Sequence, residues 1–197
     1  MSPEVLGAWA SLGTAIVIGA SVLAALVQLR HMRAGNELDA LLSLQKDFRH
    51  PDLQSALRYI QVELSRRLED PVYRRELETT GFVDSSAHPE LIACNWFNEI
   101  GTLLKHRLVA EAPFMELFGR LIVHCWAHAA SAVAIMRRTR GESQYADFEF
   151  LAIRAAKWID RHPHGTFPRS LARETLPDRW RETDAKTKEH PIGGQAT

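Results

Sequence analysis

The sequence predicts an all-α protein: one N-terminal transmembrane helix followed by a compact cytoplasmic helical bundle. Three observations carry that expectation. The 25 residues from Val5 to Leu29 contain no charged side chain. Beyond them, apolar residues recur at helical spacing, and no stretch alternates with the period of two that marks a strand. The two cysteines cannot build a disulfide framework, so burial has to hold the fold. A length of 197 residues suits one domain with an appendage. Because 24 basic side chains balance 24 acidic ones, the surplus of positive charge that neutralises phosphates is missing, and no nucleic-acid partner is expected.

As a helix, Val5 to Leu29 would cover about 37 Å, against about 30 Å of hydrocarbon. A soluble helix this apolar would need protein on every side, which a small chain supplies poorly. A cleaved signal peptide is the other alternative. It is disfavoured because Met1–Glu4 carries an acid and no base, and because the apolar run exceeds the usual core of about 7–15 residues. Arg30, His31 and Arg33 follow the span, whereas Glu4 is the only charged side chain before it. By the positive-inside rule the N-terminus faces outward and the rest lies in the cytoplasm, at the cytoplasmic (inner) membrane. Residues 1–33 are thus read as an anchor with its basic flank, and the lipid bilayer as the first partner. The 168 residues after Leu29 hold 24 basic and 23 acidic side chains, a nearly neutral body.

Residues 36–160 are expected to form the helical cytoplasmic domain. Gly35-Asn36 is read as a break, with Asn36 capping a helix that carries Leu38, Leu41, Leu42, Leu44 and Phe48. Pro51 should kink or restart that helix, since proline disfavours helical backbone at the preceding residue. Leu53, Leu57, Ile60 and Leu64 continue the stripe. Asp70-Pro71 opens a short charged helix expected to stop near Thr80-Gly81. After a connection from Phe82 to His88, Pro89 suits the first turn of a helix with Ile92, Trp96, Ile100 and Leu103 on one face. Glu111 to Arg140 is the longest periodic stretch of the body. Phe114, Leu117, Phe118, Leu121, Ile122, Cys125, Ala129, Ala132, Val133 and Met136 define its face. Arg137, Arg138 and Arg140 complement the negative end of its dipole, and Gly141 stops it. Tyr145, Phe148, Leu151, Ala152, Ala155, Trp158 and Ile159 trace the last amphipathic helix. Residues 161–197 form a proline-containing tail, expected to be a docked short helix and then disorder after about Glu182.

The chain offers little chemistry. His124 and His128 stand at i and i+4, the way two zinc ligands are presented on a helix. The metalloprotease pattern needs Glu directly after the first His, and Cys125 stands there instead. Nothing in the spacing ties Cys94 or His106 to them as further ligands, so structural packing is expected and no metal site is assigned. Ser43-Leu44-Gln45-Lys46 has the S-x-x-K spacing of penicillin-recognising enzymes but lacks the companion elements. His162-Pro163-His164 reads as a helix stop. No phosphate loop, dinucleotide fingerprint or nucleophile elbow occurs, so neither catalytic residues nor a cofactor are expected.

Inside the span, Gly7, Ser11, Ala15 and Gly19 recur every four residues. This ridge would let a second transmembrane backbone approach closely, which makes it a candidate helix-association face and predicts self-association. Glycine and alanine are also simply common in membrane helices.

The order of features resembles a bacterial family catalogued as domain of unknown function 4760, over roughly residues 5–160. The matching pieces are the span with its basic edge, then the leucine-rich helix ending in Phe48-Arg49-His50-Pro51. Next come Asn98-Glu99-Ile100-Gly101 with Leu104, and Trp126 followed by Arg137. Gly141, Tyr145 and Phe148-Glu149-Phe150-Leu151-Ala152 complete them. The resemblance implies a membrane span followed by a compact helical cytoplasmic region, and it brings no reaction, cofactor or catalytic set. The resemblance leaves the function open. The lack of a catalytic pattern, the strong anchor and the amphipathic helical body together lead to a non-enzymatic expectation: a membrane-anchored helical module that recruits or senses a protein partner at the cytoplasmic face. The alternatives are an oligomerising membrane effector or regulatory subunit, as in stress or phage defence, and a metal-dependent hydrolase built on His124 and His128.

Overall fold

A computed structural model describes residues 3–181, except for the side chains of 4–6, 8, 10–12, 33 and 34. The described residues form seven α-helices and no strand. The chain divides into two compact units, Met1–Gly165 and Thr166–Thr197.

Helix α1 (Pro3–Phe48) runs unbroken for 46 residues, about 69 Å at 1.5 Å per residue. The expected break at Gly35-Asn36 does not occur, and Asn36 caps nothing. A glycine inside a helix costs only about 1 kcal/mol relative to alanine. No proline follows until Pro51, so the backbone ladder simply continues. The restart at Pro51 does occur. His50 is extended (φ −63°, ψ 133°), and its ring Nδ1 accepts from the Asp52 N–H at 3.4 Å, capping α2 (Pro51–Val62). Leu53, Ala56, Leu57 and Ile60 of α2 are buried, and so is Leu64 in the single turn α3 (Leu64–Arg67).

Asp70 caps α4 (Pro71–Leu77) by accepting from the Val72 N–H at 2.8 Å. This helix stops before the expected Thr80-Gly81. The Glu78 carbonyl accepts from the Thr139 hydroxyl at 2.7 Å, and the Thr79 carbonyl accepts from Arg140. A tertiary contact thus takes acceptors that another turn would have used.

Three longer helices complete the body: α5 (Glu90–Lys105), α6 (Glu111–Arg140) and α7 (Ala146–Arg161). α5 packs against α2 and α7, and α6 also packs against α7. Covered from two sides, α5 buries Ala93, Cys94, Phe97 and Leu104 in addition to Ile100, while the expected Ile92, Trp96 and Leu103 are only half-buried. On α6 the expected face is buried from Phe114 to Met136, except that Leu117 is exposed and Leu121 half-exposed. Phe97 stacks on Phe148 with centroids 4.8 Å apart, and Trp126 meets Phe148 edge-on at 4.9 Å. Fully burying such a ring stabilises the fold by about 1.5–3 kcal/mol.

The α5–α7 junction is built by polar groups as well. A Cβ at Gly101 would lie 2.0 Å from the Asp147 carbonyl oxygen, so only glycine permits this approach. The Asn98 Oδ1 accepts from the N–H groups of Asp147 and Phe148, each at 3.2 Å, and so caps α7 from a neighbouring helix. Tyr145, at a left-handed φ of 55°, donates its hydroxyl to Asn95 at 2.9 Å.

In the second unit, residues 166–180 are turns and irregular backbone, and Leu171, Leu176 and Trp180 are exposed. The segment after Glu182 lies outside the described residues.

Candidate functional site

The residues singled out in the sequence remain in separate places. Gly7, Ala15 and Gly19 are exposed on α1. No atom lies within 4 Å of a Cβ built on Gly7 or Gly19, which leaves that side open to another helix. Ser11 belongs to the same helix, but its side chain lies outside the described residues. The His124 and His128 rings meet edge-on with centroids 4.7 Å apart, His124 exposed and His128 half-exposed. Among the described residues, no group of three His, Cys, Asp or Glu side chains is placed to hold a metal ion. Cys94 is buried in the core, and burial, together with the nearby Glu90 carboxylate, pushes its thiol well above the usual range. Burial likewise raises the Cys125 thiol, to about 11, so neither cysteine is a ready nucleophile.

Two sites emerge that periodicity does not reveal. The first is a sealed polar junction between α4 and α5. Glu90, in the first turn of α5, has no solvent exposure. The Tyr73 hydroxyl donates to Glu90 Oε1 at 2.6 Å, and His88 Nδ1 lies 3.0 Å from the same oxygen. His88 Nε2 lies 3.1 Å from Glu76 Oε2, and the Tyr59 hydroxyl is 3.1 Å from that of Tyr73. Burial, then the bond to Glu90, pushes the Tyr73 phenol far above its usual range and keeps it a neutral donor. A carboxylate removed from water is costly unless bonded, and these partners meet that need at Oε1, whereas Oε2 has none. His88 and Glu76 also line a shallow recess of about 270 Å³ beside Phe82, but Glu90 itself is closed off. The arrangement clamps two helices. In the sequence, Glu90 looks like an ordinary first-turn acid, and only its burial distinguishes it.

The second site is an open cleft of about 500 Å³ where the end of α1, the start of α2 and the outer face of α5 meet. Leu53, Ile92 and Trp96 supply apolar wall, while Asp47, Asp52 and Glu99 supply acid. Phe48 fixes the end of α1 at this place: its ring lies 5.1 Å from Phe118 and 5.8 Å from Trp96. Asp52 has a single ion-pair partner, His50 at 3.5 Å, and that pair holds only when the imidazole is protonated. Among the described residues, Asp47 and Glu99 have no ion-pair partner. The acids at the helix seams behave differently, since Glu78, Glu111, Asp147 and Glu149 each meet an Arg or Lys. This cleft offers an apolar wall and negative charge without a Lys or Arg partner, which suits holding a cation.

No family model, curated protein or solved structure matches the chain.

Proposed function

We propose that this protein is a single-pass, membrane-anchored helical module that recruits or senses a protein partner at the cytoplasmic face, without chemistry of its own. One observation carries the reading: α1 is long and apolar enough to cross a bilayer, none of its most apolar window is buried, and it continues without a break into the helical body. Exposed Ile16, Val17, Ile18, Val22, Leu23, Leu26 and Val27 would otherwise face water. Their burial in lipid removes that cost. The basic flank at Arg30 and Arg33 orients the body toward the cytoplasm. Membership in the domain of unknown function 4760 family is part of the same proposal. Asn98, Gly101, Tyr145 and Phe148, which belong to the matching pieces, are the residues that build the α5–α7 junction.

The experiment is fractionation with topology mapping. The chain is expected in the membrane pellet after an alkaline carbonate wash. A cysteine added after Thr197 should be labelled by an impermeant maleimide only once the cells are opened. Release by carbonate would end the anchoring claim, and labelling in intact cells would reverse the orientation.

Self-association through the open side of Gly7 and Gly19 is the second reading. Replacing both by Ile should abolish the signal in a membrane two-hybrid assay, while Val17→Ile with Leu23→Ile should preserve it. If the glycine variant keeps its signal, α1 is a tether only.

A further inference from the structure

We infer that the cleft between α1, α2 and α5 binds a basic, partly apolar segment of a partner protein, with lysine or arginine held by Asp47, Asp52 and Glu99. The inference deepens the recruitment reading and rests on it for the partner's location. Three observations favour this occupant. Charge is the first: the cleft's acids lack Lys or Arg partners, unlike those at the helix seams. An arriving cation therefore gains attraction without displacing a Lys or Arg, and competes only with His50 at Asp52. Its wall is the second, because Leu53, Ile92 and the Trp96 ring offer apolar surface for the methylene stem of a lysine or arginine, whose charged head can stay at the rim. The third is an unused donor. The Trp96 Nε1–H is buried with no acceptor among the described residues, on a side chain that lines the cleft.

Reach narrows the partner further. Asp47 lies 18 residues beyond Leu29, so α1 places the cleft up to about 27 Å from the end of the span. Cytoplasmic loops of membrane proteins are rich in Lys and Arg near their spans. An extended segment reaches that depth about eight residues after its own span, at about 3.3 Å per residue. The partner chemistry is thus the basic cytoplasmic flank of another membrane protein.

The test uses the full chain in nanodiscs of phosphatidylcholine, which adds no anionic lipid to compete. The probe is a fluorescein-labelled Lys-Leu-Arg-Leu-Lys-Leu peptide read by anisotropy. D47N, D52N and E99Q together should weaken binding at least tenfold, because all three are exposed and isosteric and leave packing intact. E63Q, E69Q and D160N, exposed acids that do not line the cleft, should change it less than twofold. Equal affinity of wild type and cleft variant overturns the inference, as does an equal loss in the distant variant. Tight binding of a Glu-Leu-Glu-Leu-Glu-Leu peptide overturns it as well. Displacement by equimolar spermine would show that any polycation suffices, and would also overturn it. Carbonate extraction of the same chain is scored separately. A chain that binds the peptide but leaves the membrane keeps the cleft and loses the anchor, and the converse result loses only the cleft.

Discussion

Among the described residues, two helices are long and apolar enough to cross a bilayer, and they differ in how much of their apolar surface the protein covers. None of the most apolar window of α1 is buried, whereas 44% of that of α6 is buried within the protein. The difference lies in where polar side chains fall. On α6, Glu116, Arg120 and His124 sit outside, while Phe114, Phe118, Ile122, Cys125 and Ala129 turn inward. The segment Val5 to Leu29 has no charged position on any side. Length and mean apolarity nominate both helices, and only the angular distribution of charge separates a core helix from a span.

The contrast yields tests, beginning with the body. Gly101→Ala should have the largest effect, about 3 kcal/mol or more, since the added methyl meets backbone at Asp147 instead of a movable side chain. Denaturant unfolding of the detergent-solubilised chain reads it. A neutral outcome would mean that α5 and α7 can slide apart freely. Glu90→Ala comes next. Removing one member of the sealed junction leaves Tyr73 and His88 without their acceptor, at about 3 kcal/mol. Glu90→Gln retains an acceptor oxygen and should cost clearly less. Were the two variants equal, the hydrogen bonds would matter less than the charge.

A smaller effect is expected from pH. The Lys105 ammonium and the Thr102 hydroxyl hold the Asp147 carboxyl below the usual carboxylate range. A lowered folded value means that its contribution is present above the unfolded value of about 3.9, and is lost as pH falls through the folded value. Asp147→Asn should therefore lower stability at pH 7 and flatten the loss below about pH 4. An unchanged acid limb would remove Asp147 from the account. The least effect on the body is expected from Val17→Ser with Leu23→Ser. Both sites touch lipid in the proposed reading, so unfolding of the body should shift by less than about 0.5 kcal/mol. Carbonate resistance should fall. A large shift in unfolding would mean that this part of α1 packs on protein.

Much of the helical layout was legible in the sequence because its signals are local. Pro51 and Asp70-Pro71 mark starts by restricting φ and removing a donor, and Gly141 marks an end with its positive φ. The extent of α1 was not legible, because Gly35-Asn36 is a weak breaker whose outcome depends on the turns either side. The stop of α4 was not legible either, as Thr139 and Arg140, sixty residues away, take its carbonyls. Both sites were invisible for the same reason. His88 and Glu90 become a buried junction only against Tyr73 and Glu76, and Asp47 and Glu99 share a cleft only once Phe48 docks.

By itself, the sequence determined the all-α class, the charge-free segment of α1 and the inward faces of α2, α6 and α7. Each follows from the 3.6-residue period and from the cost of leaving apolar surface in water. The tertiary structure alone decided which acids are sealed, which are paired and which stay open. It also decided that α7 is capped by Asn98 of another helix, and that a glycine is required at 101. Those outcomes depend on distances between residues far apart in the chain, and a pattern read along one helix carries no information about what another helix brings against it.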